Sequence, residues 1–128
     1  MNLFSPRQTS VTLACNLARG WCVIAFADGR IKIDFGSVAC LMPATELPAL
    51  AVFIGQCQDM PSQRRNRTRR CKFGTVHFIA QQQIFILTAG NATLQFQQGE
   101  FASFSELLQD ALFTMSELLS EEHKICLN

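Results

Sequence analysis

Short runs in which apolar and polar residues alternate fill the first third of the chain. In the segment RIKIDF, Ile31, Ile33 and Phe35 share one face, and the two polar residues between them lie on the other. This period of two is clearest there, and short runs separated by Arg19-Gly20, Asp28-Gly29 and Gly36 predict β-strands at residues 11–15, 21–27, 30–35 and 37–42. The pair Asp28-Gly29 joins the second and third runs and tolerates the positive φ of a type I′ turn, which predicts an antiparallel hairpin.

The hydrophobic period changes to that of a helix after residue 43. Thr45 is the candidate N-cap and Gly55 the candidate stop, so a short helix is expected over about 45–55. Its apolar face carries Leu47, Leu50, Ala51 and Ile54.

The second half repeats this order after a segment without periodicity. Residues 58–71 are rich in polar residues and predict a basic connecting loop. Strands are expected at 72–80, 83–89 and 92–97, followed by a long amphipathic helix over about 100–122. The apolar stripe of that helix consists of Phe101, Phe104, Leu108, Ala111, Met115 and Leu118.

The two halves overlay without gaps at an offset of 54 residues, which places Gly20 on Gly74 and Glu46 on Glu100. Few overlaid residues are identical, but the order of strands, glycines and helix agrees, as expected of one unit repeated twice. We therefore expect a single α+β domain over 1–128, with pseudo-repeats at about 11–57 and 72–122 and a basic linker at 58–71. The two units are antiparallel β-meanders with helices packed on one face of the sheet.

Length and composition restrict the class of protein. A chain of 128 residues, 48% of them hydrophobic, suits one compact core. The first residues lack the apolar segment of a secretory signal, and no apolar run approaches the ~18 residues of a membrane-spanning helix. We expect a cytoplasmic protein with reduced cysteines and no membrane partner.

The charge is unevenly distributed along the chain. Six of the eleven basic residues lie within nine positions, and without them five basic residues face ten acidic ones. One interpretation is a polyanion-binding site, and the other is a solvated segment that pairs with the acidic C-terminal helix within the molecule or across a dimer. The six candidate residues are Arg64, Arg65, Arg67, Arg69, Arg70 and Lys72.

Motifs for catalysis and metal binding are absent from the sequence. There is no nucleophile elbow, Gly-rich phosphate loop or zinc-binding spacing of cysteines. His77 lies in a predicted strand, where a structural role is expected, and Cys22 and Cys40 are expected to be buried strand residues. We therefore predict a binding protein that is not an enzyme and has no catalytic residue, metal or cofactor. A small-molecule site around His77 ranks third among the functions.

Two functions remain open. The first is a protein-interaction or homodimeric regulatory domain, whose partner is a second copy of the chain or another protein. Its candidate interface consists of Phe113, Met115, Leu118 and Leu119. The alternative is single-stranded nucleic-acid binding through residues 64–72, with Phe side chains or Trp21 as stacking platforms.

The segment GRIKIDFGSVACLM, followed by Pro43 and a helix that opens TELPAL, is similar in order to the repeats of PUR-domain proteins. Those proteins pair two β-meander-plus-helix repeats, and the resemblance implies binding of single-stranded DNA or RNA by the sheet and basic loops. The segments IKIDFG and TAGNATLQFQQGEFASF also resemble short uncharacterised proteins of Bacteroidetes. Those proteins have a strand that ends in FGN, then another strand, and then the motif EFxxF at the start of a helix. The second resemblance implies an architecture only.

Overall fold

A computed structural model describes residues 9–90 and 92–127, with side chains for 9–90 and 92–120. The described residues form eight strands and two α-helices. No helix among these residues has the length and apolar character needed to cross a membrane. The elements are β1 Ser10–Asn16, β2 Trp21–Phe26, β3 Arg30–Asp34, β4 Ala39–Pro43, α1 Leu47–Cys57, β5 Arg67–Cys71, β6 Gly74–Ile79, β7 Ile84–Ala89, β8 Ala92–Gln97 and α2 Gln98–Leu127.

The eight strands form two antiparallel sheets of four strands each, in the orders β1-β2-β3-β4 and β5-β6-β7-β8. Each sheet is a meander in which consecutive strands pair, and each is followed by a helix. The predicted α+β class is confirmed. One sheet was predicted, whereas the structure has two. The packing of both helices on one face of a sheet stays a prediction.

The chain divides into two compact units that do not coincide with its two halves. Among the described residues, 9–48 and 107–127 form one unit, which holds the first sheet and the later part of α2. Residues 49–106 form the other, with most of α1, the second sheet and the start of α2. Both helices therefore pass from one unit into the other along the chain.

The first sheet separates apolar from polar side chains by strand alternation. Trp21, Val23 and Ala25 of β2 are buried, and so are Ile31 and Ile33 of β3. Val23 lies opposite Ile33, and Ala25 lies opposite Ile31, so these residues share one face. The predicted pairing of the second and third strands is confirmed.

The turn between β2 and β3 differs from the predicted type I′ turn. Gly29 has a φ of +89°, whereas Asp28 does not have a positive φ. The Gly29 N–H donates to the carbonyl oxygen of Phe26 at 3.1 Å, so the chain turns over Ala27 and Asp28 before Gly29. A single glycine in the left-handed region is typical of a three-residue hairpin loop.

The first helix begins and ends two residues later than predicted. Thr45 lies inside a single 3-10 turn, Ala44–Glu46, and that turn has no side-chain cap. Gly55 does not stop α1, which continues to Cys57. Cys57 is completely buried, and burial of the final turn stabilises the helix beyond the glycine.

The segment 58–71, predicted to be a connecting loop, is ordered into two elements, and this prediction was wrong. Residues Met60–Gln63 form a 3-10 turn, and β5 occupies Arg67–Cys71. β5 pairs along its length with β6 and is an outer strand of the second sheet. The second meander therefore begins at Arg67 rather than at residue 72.

Aromatic rings hold the start of α2 against the second sheet. Phe101 stacks on Phe85 of β7 with ring centroids 3.9 Å apart, and Phe104 stacks on Phe96 of β8 at 5.2 Å. Phe78 and Phe85 are also in contact at 5.1 Å. All five rings are buried, so they form the core of this unit.

Candidate nucleic-acid interface

The six predicted basic residues lie on or beside β5, an outer strand of the second sheet, and we call Arg64 to Lys72 the basic edge. Arg64 and Arg65 precede the strand, and Lys72 follows it in the turn to β6. Arg67, Arg69 and Arg70 are within the strand. A strand rises about 3.3 Å per residue, so the five residues of β5 extend over roughly 13 Å.

Strand geometry sends the arginines to two sides of the sheet. Arg67 lies opposite Phe78, and Arg69 lies opposite Val76, so both are on the side of the buried residues. Arg70 lies opposite Thr75 on the other side and is exposed. An arginine tolerates a place on the side of the buried residues, because its aliphatic stem covers apolar surface while its guanidinium stays in water. The six residues therefore do not form one continuous face.

The chain entering β5 is held by backbone geometry and one side-chain hydrogen bond. Arg64 has a φ of +52°, which ends the 3-10 turn, and its N–H donates to Pro61 O at 3.1 Å. The Ala80 N–H donates to Asn66 Oδ1 at 2.9 Å and joins this segment to the turn between β6 and β7. The exposed Arg64 and Arg65 are thereby placed at the start of the outer strand.

Arg69 is the arginine of the basic edge that pairs with an acid. Its Nη2 lies 3.4 Å from Asp59 Oδ1. Within the described residues, Arg64, Arg65, Arg67 and Arg70 have no carboxylate within ion-pair distance. Glu106, the exposed acid of α2 that belongs to the same unit, forms no ion pair with these arginines within the described residues, and the pairing with the rest of the acidic helix stays a prediction.

A buried thiol lies near Arg69. Burial raises the pKa of Cys57, at the end of α1, to about 11, although the Arg69 guanidinium acts in the opposite direction. Cys71 is close by, and its Sγ accepts a hydrogen bond from the Phe73 N–H at 3.4 Å. Cys57 therefore stays a neutral thiol at physiological pH and contributes packing beneath the basic edge.

The face of the second sheet that carries Arg70 has no acidic residue and presents hydroxyl and amide side chains together with the apolar residues Ile79, Ile84 and Ile86. Residues directly opposite each other on antiparallel strands share a face, so the register defines rows across the four strands. Most of these side chains are exposed or half-buried. We call it the threonine face, and its two rows next to Arg70 are Arg70, Thr75, Thr88 and Thr93, and Thr68, His77, Ile86 and Gln95.

His77 has a hydrogen-bond partner on the threonine face. A hydrogen bond of 2.9 Å joins its Nδ1 to Thr68 Oγ1 on the neighbouring strand. The side chain is half-buried, and the bond orients its ring across the β5–β6 pair. This is the structural environment that the position of His77 in a strand predicts.

The aromatic side chains proposed as stacking platforms are not on the threonine face. Trp21 belongs to the first sheet, is buried, and makes an edge-on contact with Phe35 at 5.4 Å. The rings of Phe78, Phe85 and Phe96 are buried on the opposite side of the second sheet. An aromatic side chain does lie at the end of the basic edge, where Lys72 Nζ is 5.1 Å from the centre of the half-buried Phe73 ring.

The four residues of the predicted interface on α2 do not share one face. Phe113 is 65% exposed, whereas Met115, Leu118 and Leu119 are half-buried. At about 100° per residue, those three cluster on one side of the helix and Phe113 lies roughly opposite. Phe113 lies on the same side of the helix as the acidic residues Glu106, Asp110 and Glu117.

The threonines of the threonine face were not predicted as site residues, and the strand β5 was not predicted either. A signal for β5 is present in the overlay of the two halves. The offset of 54 residues places the predicted strand VTLAC, residues 11–15, on residues 65–69. The overlay thus points to a fourth strand of the second half where β5 lies, but the arginines hide the usual apolar alternation and the segment was predicted to be a loop.

No protein-family model, no curated protein and no solved structure matches this chain. Within the described side chains, no three His, Cys, Asp or Glu residues are arranged to hold a metal ion. The functional interpretation therefore rests on the geometry and charge of the chain itself.

Proposed function

We propose that the protein binds single-stranded nucleic acid along the basic edge and the adjoining threonine face. The observation that carries the proposal is that the exposed Arg64, Arg65 and Arg70 have no carboxylate partner within the described residues. These arginines also border a sheet face that has no acidic residue.

Uncompensated positive charge is the component that supplies affinity. A solvated arginine next to an acid gains little from a phosphate, because the acid repels it. The basic edge has one such pair, between Arg69 and Asp59, and it lies on the buried side. Arg70 projects from the opposite side, and Arg64 and Arg65 precede the strand, so phosphates along an extended strand can meet successive guanidinium groups.

The chemistry of the threonine face favours the binding of a single strand rather than a duplex. Thr75, Thr88, Thr93 and Gln95 offer hydroxyl and amide groups that donate and accept hydrogen bonds. Unpaired bases leave their edges accessible to such groups, whereas a duplex encloses them in grooves. A sheet face that offers such groups fits splayed bases, and the arginines at its border fit the backbone.

The proposal is tested by titrating the full chain with a labelled single-stranded oligonucleotide at several salt concentrations. We expect binding that weakens steeply with salt. In the triple variant R64Q/R65Q/R70Q, the slope of log affinity against log salt should decrease by about 2, since each lost phosphate contact on a single strand contributes about 0.7. Circular dichroism verifies that the variant keeps the fold.

A pair of single variants provides the matched control. Arg70→Gln should reduce the slope by about 0.7, whereas Arg30→Gln should leave it unchanged. Arg30 is also an exposed strand arginine, but its Nε is bound to Asp28 Oδ2 at 2.8 Å. Equal binding by the wild type and the folded triple variant, or a stronger affinity for duplex of the same sequence, would contradict the proposal.

A homodimeric domain is the second candidate function, favoured by charge complementarity. Glu106, Asp110 and Glu117 are exposed on α2 and form no ion pair within the described residues. In a homodimer, these acids of one copy would meet the basic edge of the other.

Light scattering at low salt distinguishes the two candidates. A homodimer should dissociate on the addition of salt or in the variant E106Q/D110N/E117Q, which should still bind the oligonucleotide. A monomer at high concentration and low salt would exclude the dimer.

A further inference from the structure

Two cysteines face each other in the first hairpin of the protein. Cys15 of β1 lies directly opposite Cys22 of β2 in the antiparallel register. Side chains at such positions point to the same face, with Cβ atoms about 4.5–5.5 Å apart. Their spacing is compatible with a disulfide after a small adjustment, since disulfides join Cα atoms about 4.4–6.8 Å apart.

The cysteine pair lies on the outer face of the first sheet. Its neighbours Trp21 and Val23 are buried on the other side, because side chains alternate along β2. Cys15 is exposed and Cys22 is half-buried, so a small reagent reaches the pair without unfolding of the sheet. This differs from the expectation that Cys22 is a buried strand residue.

The electrostatic surroundings make the two thiols unequal. Burial raises the pKa of Cys22, and Cys15 and Asp34 raise it further, while Lys32 acts in the opposite direction. Asp34 lies opposite Cys22 on β3. Cys22 is therefore protonated at neutral pH, and the more exposed Cys15 is the first thiol that a reagent in solution meets.

We propose that Cys15 and Cys22 form a reversible cross-strand disulfide by exchange with a low-molecular-weight disulfide such as oxidised glutathione. The Cys15 thiolate attacks one sulfur of the small disulfide, forms a mixed disulfide and releases one small thiolate. Cys22 loses its proton to solvent and attacks Cys15 Sγ, which releases the second small thiolate. Both released thiolates take up protons.

The exchange conserves electrons and atoms. Two protein thiols are oxidised to one disulfide, and the small disulfide receives two electrons and two protons and becomes two thiols. The new bond closes a ring around the hairpin loop Leu17–Gly20, in which Leu17 is 90% exposed. Because the cysteines already face each other, closure restricts this loop without changing the strand register.

The inference does not depend on nucleic-acid binding, because Cys15 and Cys22 belong to the first sheet and the basic edge to the second. The test incubates the full chain with glutathione at graded ratios of oxidised to reduced form, alkylates the remaining thiols and maps the peptides by mass spectrometry. We expect Cys15 and Cys22 to become protected from alkylation together. Trypsin cleaves after Arg19, between them, so the product is two peptides joined by one disulfide, lighter by two hydrogen atoms than the separate peptides.

Single variants separate closure from simple thiol modification. In Cys22→Ser, Cys15 should stop at the mixed disulfide with glutathione, whereas Cys40→Ser should close like the wild type. Cys40 is the matched control because it is a half-buried cysteine of the same sheet that lies opposite Ile33. A wild type that retains glutathione on Cys15, links Cys15 to another cysteine or is alkylated at both positions at every ratio overturns the proposal.

Discussion

Replacing Phe101 by alanine should lower the free energy of unfolding by about 3–5 kcal/mol, the usual cost of truncating a buried aromatic side chain. Phe101 has no exposed surface. Its ring stacks on Phe85 with an interplanar angle of 8° and meets Phe96 edge-on at 5.7 Å. The truncation removes these contacts and leaves a cavity between α2 and the second sheet, which the surrounding rings fill only in part. Urea titration monitored by circular dichroism measures the change.

The matched control is Phe113→Ala, which makes the same chemical change on the same helix. Phe113 is 65% exposed, so its truncation should change the free energy of unfolding by less than about 0.5 kcal/mol. A large difference between the variants identifies burial as the cause. Equal effects of the two substitutions would contradict the aromatic core described above.

Gly74→Ala should destabilise the protein by about 1–3 kcal/mol, because the added methyl group has no space. Its Cβ would lie 2.1 Å from the carbonyl oxygen of Thr88 and 3.1 Å from Cα of Ala89. Both are backbone atoms of β7, which cannot rotate away as a side chain would. The φ of Gly74 is +156°, which adds strain for an L-residue. The two strands must separate at this end of the sheet, and thermal unfolding would report a lower midpoint.

Gly55→Ala is the control for this substitution. Gly55 lies inside α1, and a Cβ built there meets no atom within 4 Å. Alanine should therefore stabilise the helix by roughly 0.5–1 kcal/mol through the lower entropy of the unfolded chain. If Gly74→Ala unfolds at the same temperature as the wild type while Gly55→Ala raises the midpoint, the close approach of β6 and β7 at Gly74 is wrong.

The predicted positions of the second and third strands agree closely with the structure. Residues 21–27 and 30–35 were predicted as strands, and β2 and β3 occupy Trp21–Phe26 and Arg30–Asp34. Their apolar residues form a buried face with a period of two, and that period is a local property of the sequence. The stripe of α2 is recognised for the same reason, since Phe101, Phe104 and Leu108 are buried at helical spacing.

The position of an element edge was harder to predict, because packing decides it. Glycine commonly ends a helix, yet α1 continues past Gly55 because Cys57 is buried. Likewise, Gly20 and Gly74 overlay in the two halves, but the roles of these glycines differ. Gly20 has a φ of +73° and open space around it, whereas Gly74 lies against the backbone of β7. A glycine in a sequence does not show which of the two reasons applies.

The candidate site was only partly predictable. The concentration of arginine between residues 64 and 72 is visible in the sequence, and it marked the right segment. The predicted loop conformation was wrong, because Arg67–Cys71 lacks apolar alternation and forms a strand only through pairing with β6. Pairing with a distant segment also determines that Arg70 borders the threonine face while Arg69 turns to Asp59.

The sequence by itself determined the α+β class, seven of the eight strands, both helices and the segment of concentrated positive charge. These follow from periods of two and 3.6 residues and from composition, which depend on neighbours along the chain. Only the tertiary structure decided the eighth strand, the division into two sheets, the sides on which the arginines lie and the apposition of Cys15 with Cys22. Each of these depends on the register between strands, and a shift of one residue would turn every side chain to the other face.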